Sequence, residues 1–175
     1  DTPPSPNARL RVAPATVLPI AIRMVQPVSL AVNLVTAADG SPFTSPALVE
    51  MFPDDDQRGG IESVTGGTFT GSQFGGQTVV PNANYTFSAM AVVGTTSWFS
   101  RAIGATAPAT GTSTVPNLEM AGFTSAQVGN LTVNVQRGGS NVKDAHVKIV
   151  GGPADVAFMF LTDNAGRVRV SLPIG

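Results

Sequence analysis

Residues 8–25 read ARLRVAPATVLPIAIRMV, and their side chains alternate between two kinds along most of the stretch. The odd positions are small or cationic, and the even positions are mostly large and apolar: Leu10, Val12, Leu18, Ile20, Ile22 and Met24. A period of two is the pattern of a β-strand with one buried face. Pro14 and Pro19 cannot donate a backbone hydrogen bond, so we expect this strand at a sheet edge or interrupted there.

The composition of the whole chain favours strands and turns over helices. Charged residues are 12% of the chain, against about 25% in ordinary soluble domains. Glycine (19) and proline (14) are frequent, and no long window keeps a helical period of 3.6 residues. We therefore predict an all-β chain. The net charge of -1 provides no positive field for nucleic acid.

A low-complexity stretch, GATAPATGTSTVPN at 104–117, divides the chain. Stretches of this composition are typical of linkers between domains. We predict a tail and strand at 1–25, a first domain at 26–103, a linker at 104–125 and a second domain at 126–175. Within the linker, LEMAGF at 118–123 either continues the low-complexity stretch or forms a short edge strand.

In the second predicted domain, two strands alternate between apolar and polar residues. Their inward residues are expected to line one face: Leu131, Val133 and Val135 on the first strand, and Val168, Val170, Leu172 and Ile174 on the last. VAFMFL, residues 156–161, is apolar on both faces and is expected to be central.

Two segments of this domain, LTVNVQRGGSNVKDAHVKIVGG and LTDNAGRVRVSLPIG, resemble the carboxypeptidase-regulatory-like and collagen-adhesin B-type repeats. Two segments of the first domain, LAVNLVTAADGSPFTSPALVEMF and VVPNANYTFSAMAVV, resemble them more loosely. The resemblance implies two tandem Ig-like or transthyretin-like β-sandwiches covering most of residues 28–175.

In that family further strands follow the P-x-G motif, whereas here the sequence stops at Gly175. The resemblance therefore implies that the second sandwich lacks its closing strands and has an open apolar groove. Residues 8–25 have the character of the missing strand, and about 15 residues at about 3.3 Å each would span about 50 Å. Insertion into the next copy would make a head-to-tail contact that does not close, as in a pilus.

We therefore expect an extracellular, cell-surface filament subunit whose partners are identical copies. In one alternative the chain is a carbohydrate- or protein-binding module pair of an adhesin, with a glycan or a host surface as its contact. In others, residues 8–25 are the first strand of the first domain, or the chain is part of a longer surface protein.

No set of residues for catalysis is evident. The chain has no cysteine and one histidine, His146, so no nucleophile and base can be paired, and we expect neither an enzyme nor a cofactor. Apolar runs are too short for a membrane helix, so no membrane insertion is expected.

Two groups of residues are weak candidates for binding. Asp54, Asp55 and Asp56 could supply oxygen ligands to calcium, although a solvated turn is favoured because the spacing of a calcium loop is absent. Tyr85, Trp98 and Phe99 could form a sugar-stacking platform, although a core role is favoured because they lie in alternating strands.

Overall fold

A computed structural model describes residues 26–54, 65–69 and 73–174, and in these ranges every regular element is a strand except for one 3-10 turn, Ser125–Gln127. The all-β prediction is confirmed. Residues 8–25, the predicted inserted strand, lie outside the described residues.

The strands form two blocks along the chain. The first block has nine strands: β1 (Val28–Thr36), β2 (Ala47–Pro53), β3 (Thr65–Phe69), β4 (Gln73–Val79), β5 (Asn84–Val93), β6 (Thr96–Ser100), β7 (Ile103–Thr106), β8 (Thr112–Thr114) and β9 (Leu118–Phe123). The second block has six: β10 (Val128–Asn134), β11 (Gln136–Arg137), β12 (Ser140–Asn141), β13 (His146–Gly151), β14 (Val156–Leu161) and β15 (Arg167–Pro173).

The first block is one curled, nine-stranded sheet in the order β3-β2-β5-β6-β9-β1-β4. β7 pairs with the first half of β5, and β8 pairs with the first half of β1. β1 is parallel to β8 and β9 and antiparallel to β4, with an irregularity between Leu30 and Val32. β1 changes neighbours along its length, which lets the sheet curl around a single core.

The stretch predicted as a linker, 104–125, is instead part of this sheet. Most of β7 and all of β8 and β9 lie in it, so the first block extends to Phe123 and does not stop at residue 103. Low complexity did not prevent pairing, because β7 (IGAT) and β8 (TST) contain isoleucine and threonine, β-branched residues that suit short strands.

The core of the first block follows the sequence alternation. Val28, Leu30, Val32 and Leu34 are all buried on β1, and Phe87 and Ala89 are fully buried on β5. Two of the three aromatic residues considered for sugar binding, Tyr85 and Phe99, are also buried. The ring of Trp98 packs on Phe43 with centroids 5.3 Å apart. The favoured core role of these rings is confirmed.

The second block consists of three two-stranded antiparallel ribbons: β10–β15, β11–β12 and β13–β14. Val156, Ala157, Phe158 and Met159 of β14 are all buried, as expected for a segment that is apolar on both faces. Part of the cover over β14 comes from the first block: Phe52 and Ala102 pack with one side of β14, and Phe99 packs with the other.

Candidate acceptor groove

Five of the seven residues predicted to face inward on the second block lie on the β10–β15 ribbon, and the other two lie just beyond its strand ends. The register places Leu131 opposite Val170 and Val133 opposite Val168, and directly opposed residues share a face. Leu172 lies opposite Gly129. The alternation in the sequence therefore predicted which side chains share this face.

The remaining two predicted residues, Ile174 and Val135, lie at the two ends of this face. A Cβ atom at Gly129 would lie 2.5 Å from Cγ2 of Ile174, so glycine leaves the space that the Ile174 side chain occupies. At the other end, the Val135 N–H donates to the carbonyl of Gly166 at 2.8 Å.

The turn of sequence TDNAG, residues 162–166, makes hydrogen bonds that fix the end of the ribbon near Val135. The buried Thr162 accepts a hydrogen bond from the Ala145 N–H at 2.8 Å and donates to the Val142 carbonyl at 2.6 Å. Gly166 has a φ of 68°, and a Cβ there would lie 2.7 Å from the Val135 carbonyl oxygen. Both the positive φ and the close approach therefore require glycine.

The β13–β14 ribbon supplies the opposite wall. Val147 is paired with Phe160 and Ile149 with Phe158, so these four side chains share a face. Phe158 is fully buried in a cluster that Leu172 of β15 also joins. The inward faces of the two ribbons therefore meet at the β14 and β15 side of the block.

Burial is uneven across the block. Phe158 and Val168 are buried, whereas Val133 on β10 and Val147 and Ile149 on β13 are only half-buried. On β15, Val170 and Leu172 are half-buried as well, and Ile174 beyond its end is 58% exposed. Leu131 on β10 is 39% exposed. The apolar interior is therefore open on the β10 and β13 side, and we call the half-buried apolar face there the groove.

The outer edge of β14 is capped by side chains of the first block. The Met159 N–H donates to Oε2 of Glu50 at 2.8 Å, and the Ala157 N–H donates to Oγ of Ser88 at 3.2 Å. Glu50 and Ser88 are 4% and 0% exposed. This cap satisfies backbone donors that an edge strand would otherwise leave unpaired.

Glu50 is the buried ionisable group at this contact. Burial raises the pKa of its carboxyl from the ordinary 4.5, and the hydrogen bond from the Met159 N–H offsets only part of that effect. Near it, Lys148 Nζ lies 4.5 Å from the centre of the Phe52 ring, a cation–π contact between β13 and the first block.

A cavity of about 460 Å³ lies between β15 and the first block. Its apolar lining includes Leu48, Met90 and Phe99 from the first block and Phe160 and Val170 from the second. Arg169 and Ser171 of β15 line the same cavity.

None of the four outer edges of the β10–β15 and β13–β14 ribbons has a strand beside it among the described residues. β10 pairs only with β15, and β13 only with β14. The edge of β14 is capped by Ser88 and Glu50, and that of β15 borders the cavity beside the first block, so the two edges that flank the groove are those of β10 and β13.

Asp54, one of the candidate calcium ligands, and His146 each contact a neighbouring side chain. Asp54 accepts a hydrogen bond from the Thr86 hydroxyl, while Asp55 and Asp56 lie outside the described residues. Within the described ranges, no group of three or more acidic, histidine or cysteine residues could hold a metal ion. Nδ1 of His146 lies 3.3 Å from Sδ of Met159.

Sequence reasoning missed Glu50 and Ser88. A signal was present for Glu50, because it is the one charged residue within the apolar strand ALVEMF. A buried carboxyl needs a partner, but nothing local identifies that partner as a backbone N–H that is 109 residues away.

Comparisons with known proteins add no identification. No family model, no curated protein and no solved structure matches this chain. The likeness to the carboxypeptidase-regulatory-like and collagen-adhesin repeats thus remains an expectation from the sequence. None of the described residues forms a helix that is long and apolar enough to cross a membrane.

Proposed function

We propose that this protein is the structural subunit of an extracellular, pilus-like filament that polymerises by donor-strand complementation. Residues 8–25 of one copy insert into the second block of the next, which acts as an incomplete β-sandwich in tandem with the first. The donor residues are Leu10, Val12, Leu18, Ile20, Ile22 and Met24. The acceptor residues are Leu131, Val133, Val135, Val168, Val170, Leu172 and Ile174.

The observation that carries this proposal is the half-buried groove beside two unpaired strand edges. Exposed apolar surface and open edges are both unfavourable in water, and one added strand relieves both. A strand with one apolar face is required, and residues 8–25 have that alternation over most of their length.

The contact is heterologous, because the donor and the groove are different parts of the chain. A contact of this kind propagates from copy to copy and produces a polymer unless the rotation closes a ring. The function requires no cofactor, catalytic residue, nucleic acid or membrane insertion, and identical copies are its partners.

The direct test compares the full chain with a variant that lacks residues 1–25, using negative-stain microscopy and light scattering. The full chain is expected to form filaments. The deletion variant is expected to form none, and to aggregate because its groove is not filled. A synthetic peptide of residues 8–25 should bind the deletion variant and suppress this aggregation.

Either of two results would reject the proposal. Filaments formed without residues 1–25 would exclude the donor strand. A full chain that stays monomeric at all concentrations would favour the rival function, a carbohydrate- or protein-binding module pair of a surface adhesin.

A further inference from the structure

The groove has two unpaired edges, and the directions of their backbone groups can be assigned. The Ile174 N–H donates to the Gln127 carbonyl, and the Val135 N–H donates to the Gly166 carbonyl. Hydrogen-bonded pairs alternate along an antiparallel ladder. The odd residues of β10 therefore bond to β15, and the even residues, including Asn130 and Thr132, direct their N–H and carbonyl groups to the outer edge.

The same reasoning applies to β13. The Thr162 N–H donates to the Ala145 carbonyl, so the odd residues of β13 bond to β14. Lys148 and Val150 therefore direct their backbone groups outward. The assignment agrees with the cap on β14, where Ala157 and Met159 bond to side chains and not to β13.

Charge distinguishes the two edges as sites for the donor. With its apolar face in the groove, the donor presents Arg23 on the opposite, outward face, whereas Arg9 and Arg11 lie before Pro14. Beside β13, Arg23 would share the outward face with Lys148, and like charges directly opposed on neighbouring strands are destabilising.

Beside β10, Arg23 meets no charge on the adjacent strand, and Arg167 and Arg169 of β15 lie one strand further away on the same face. The outward residues of β10 are Asn130, Thr132 and Asn134, which are exposed and neutral. Contact with the first block also restricts the outward face of β13, because Lys148 lies over Phe52. Both features favour the edge of β10.

Pro19 then determines the direction of the added strand. In an antiparallel pair, residues that exchange hydrogen bonds lie opposite each other with side chains on one face. The outward residues Asn130 and Thr132 would then bond to outward donor residues, and one of these is Pro19, which has no N–H.

A parallel strand avoids this loss. In a parallel pair each residue bonds to the two neighbours of the residue opposite it. The outward residues of β10 would then bond to inward donor residues such as Leu18 and Ile20, both of which have an N–H. Pro19 would face solvent on the new outer edge, which is where a strand proline is tolerated.

We infer that the donor strand pairs in parallel with the outer edge of β10, over Thr16–Met24, in the neighbouring copy. Pro14 would face β10 without an N–H, so pairing ends after it. The paired length is similar to the 7 residues of β10. This inference rests on the proposed function, and it specifies the edge, the direction and the extent of the contact.

Disulfide trapping tests it, since the natural chain contains no cysteine. One set of full-length variants has a single cysteine at an outward donor position: Ala15→Cys, Val17→Cys, Ala21→Cys or Arg23→Cys. A second set has one on β10: Asn130→Cys, Thr132→Cys or Asn134→Cys. Control variants have one on β13: Lys148→Cys or Val150→Cys. Each donor variant is mixed with each acceptor variant under oxidation.

Disulfide-linked heterodimers should form only between donor and β10 variants, at a constant difference in residue number. If Val17→Cys links to Asn130→Cys, then Ala21→Cys should link to Asn134→Cys. Directly opposed residues lie about 4.7–4.9 Å apart between strands, within the range of Cα separations for disulfides. Moving either cysteine by two residues along its strand should abolish the disulfide link.

Other patterns overturn the inference without rejecting the filament. Links at a constant sum of residue numbers would show an antiparallel donor, and links to Lys148→Cys or Val150→Cys would place it on β13. Filaments with no links at any of these positions would place the donor elsewhere. If neither filaments nor links form, the proposed function itself fails.

Discussion

Ile20 and Ala21 are neighbours whose side chains point to opposite faces of the predicted donor strand. Ile20→Asp should abolish assembly, because it removes about 1.5–3 kcal/mol of apolar burial and places an unpaired carboxylate in the groove. Ala21→Asp is the matched control and should be tolerated, because its side chain faces solvent. Sedimentation of filaments measures both. Equal effects of the two substitutions would refute the register inferred from the alternation.

Glu50 is expected to make stability depend on pH. Because burial raises the pKa of Glu50 above 4.5, the folded state holds its proton to higher pH than the unfolded state does. The free energy of unfolding should therefore fall as the pH rises from about 4.5 through the folded pKa, and then level off. Urea denaturation across this range, in the assembly-deficient Ile20→Asp background, measures the fall.

Two variants in that background test the assignment to Glu50. Glu50→Gln keeps an oxygen for the Met159 N–H, so the variant should fold and lose this part of the pH dependence. Glu119→Gln changes an exposed carboxyl on β9 and should leave the profile unaltered. A fall in stability that persists in Glu50→Gln would assign it to another group.

β14 is a strand through which the two blocks contact each other. The side chain of Phe158 is fully buried, with 0% of its surface accessible, and it packs with Phe99 of the first block. Phe158→Ala should lower the free energy of unfolding by about 3–5 kcal/mol. Val150→Ala, at a side chain that is 64% exposed, should change it by less than about 0.5 kcal/mol. Similar effects in urea denaturation would mean that β14 is not buried this way.

The sequence was informative about individual strands and less so about their neighbours. Alternation identified the buried residues of β1 and β5, and on β10 and β15 it identified which residues share a face, because side chains on a strand alternate between two faces whatever surrounds it. It also indicated a buried β14. It did not show that β7, β8 and β9 complete the first sheet, because such pairing depends on edges formed by distant residues.

The interface between the blocks was beyond the reach of local patterns for the same reason. Two separate sandwiches joined by a linker were expected, yet the amides of β14 bond to Ser88 and Glu50. Ser88 is 69 residues from Ala157 in the chain, and Glu50 is 109 residues from Met159. A period of two shows that a strand has an apolar face but contains no information about what covers it.

At the scale of the whole molecule, this shared interface should make the two blocks unfold together. Trp98, the one tryptophan, reports on the first block by fluorescence. Hydrogen exchange of the amides in β14 reports on the second. In the Ile20→Asp background, both should give the same free energy of opening. A lower value for β14 would show that the second block opens independently of the first.

β1 follows the predicted donor segment directly and is held by three strands: β4 and β8 along its first half and β9 along its second. In a filament joined through residues 8–25, tension would enter each subunit along the axis of β1. Ladder hydrogen bonds run across the strands, so such a pull loads them in shear. Many of these hydrogen bonds must then break at the same time, so the subunit should resist being extended by the pull.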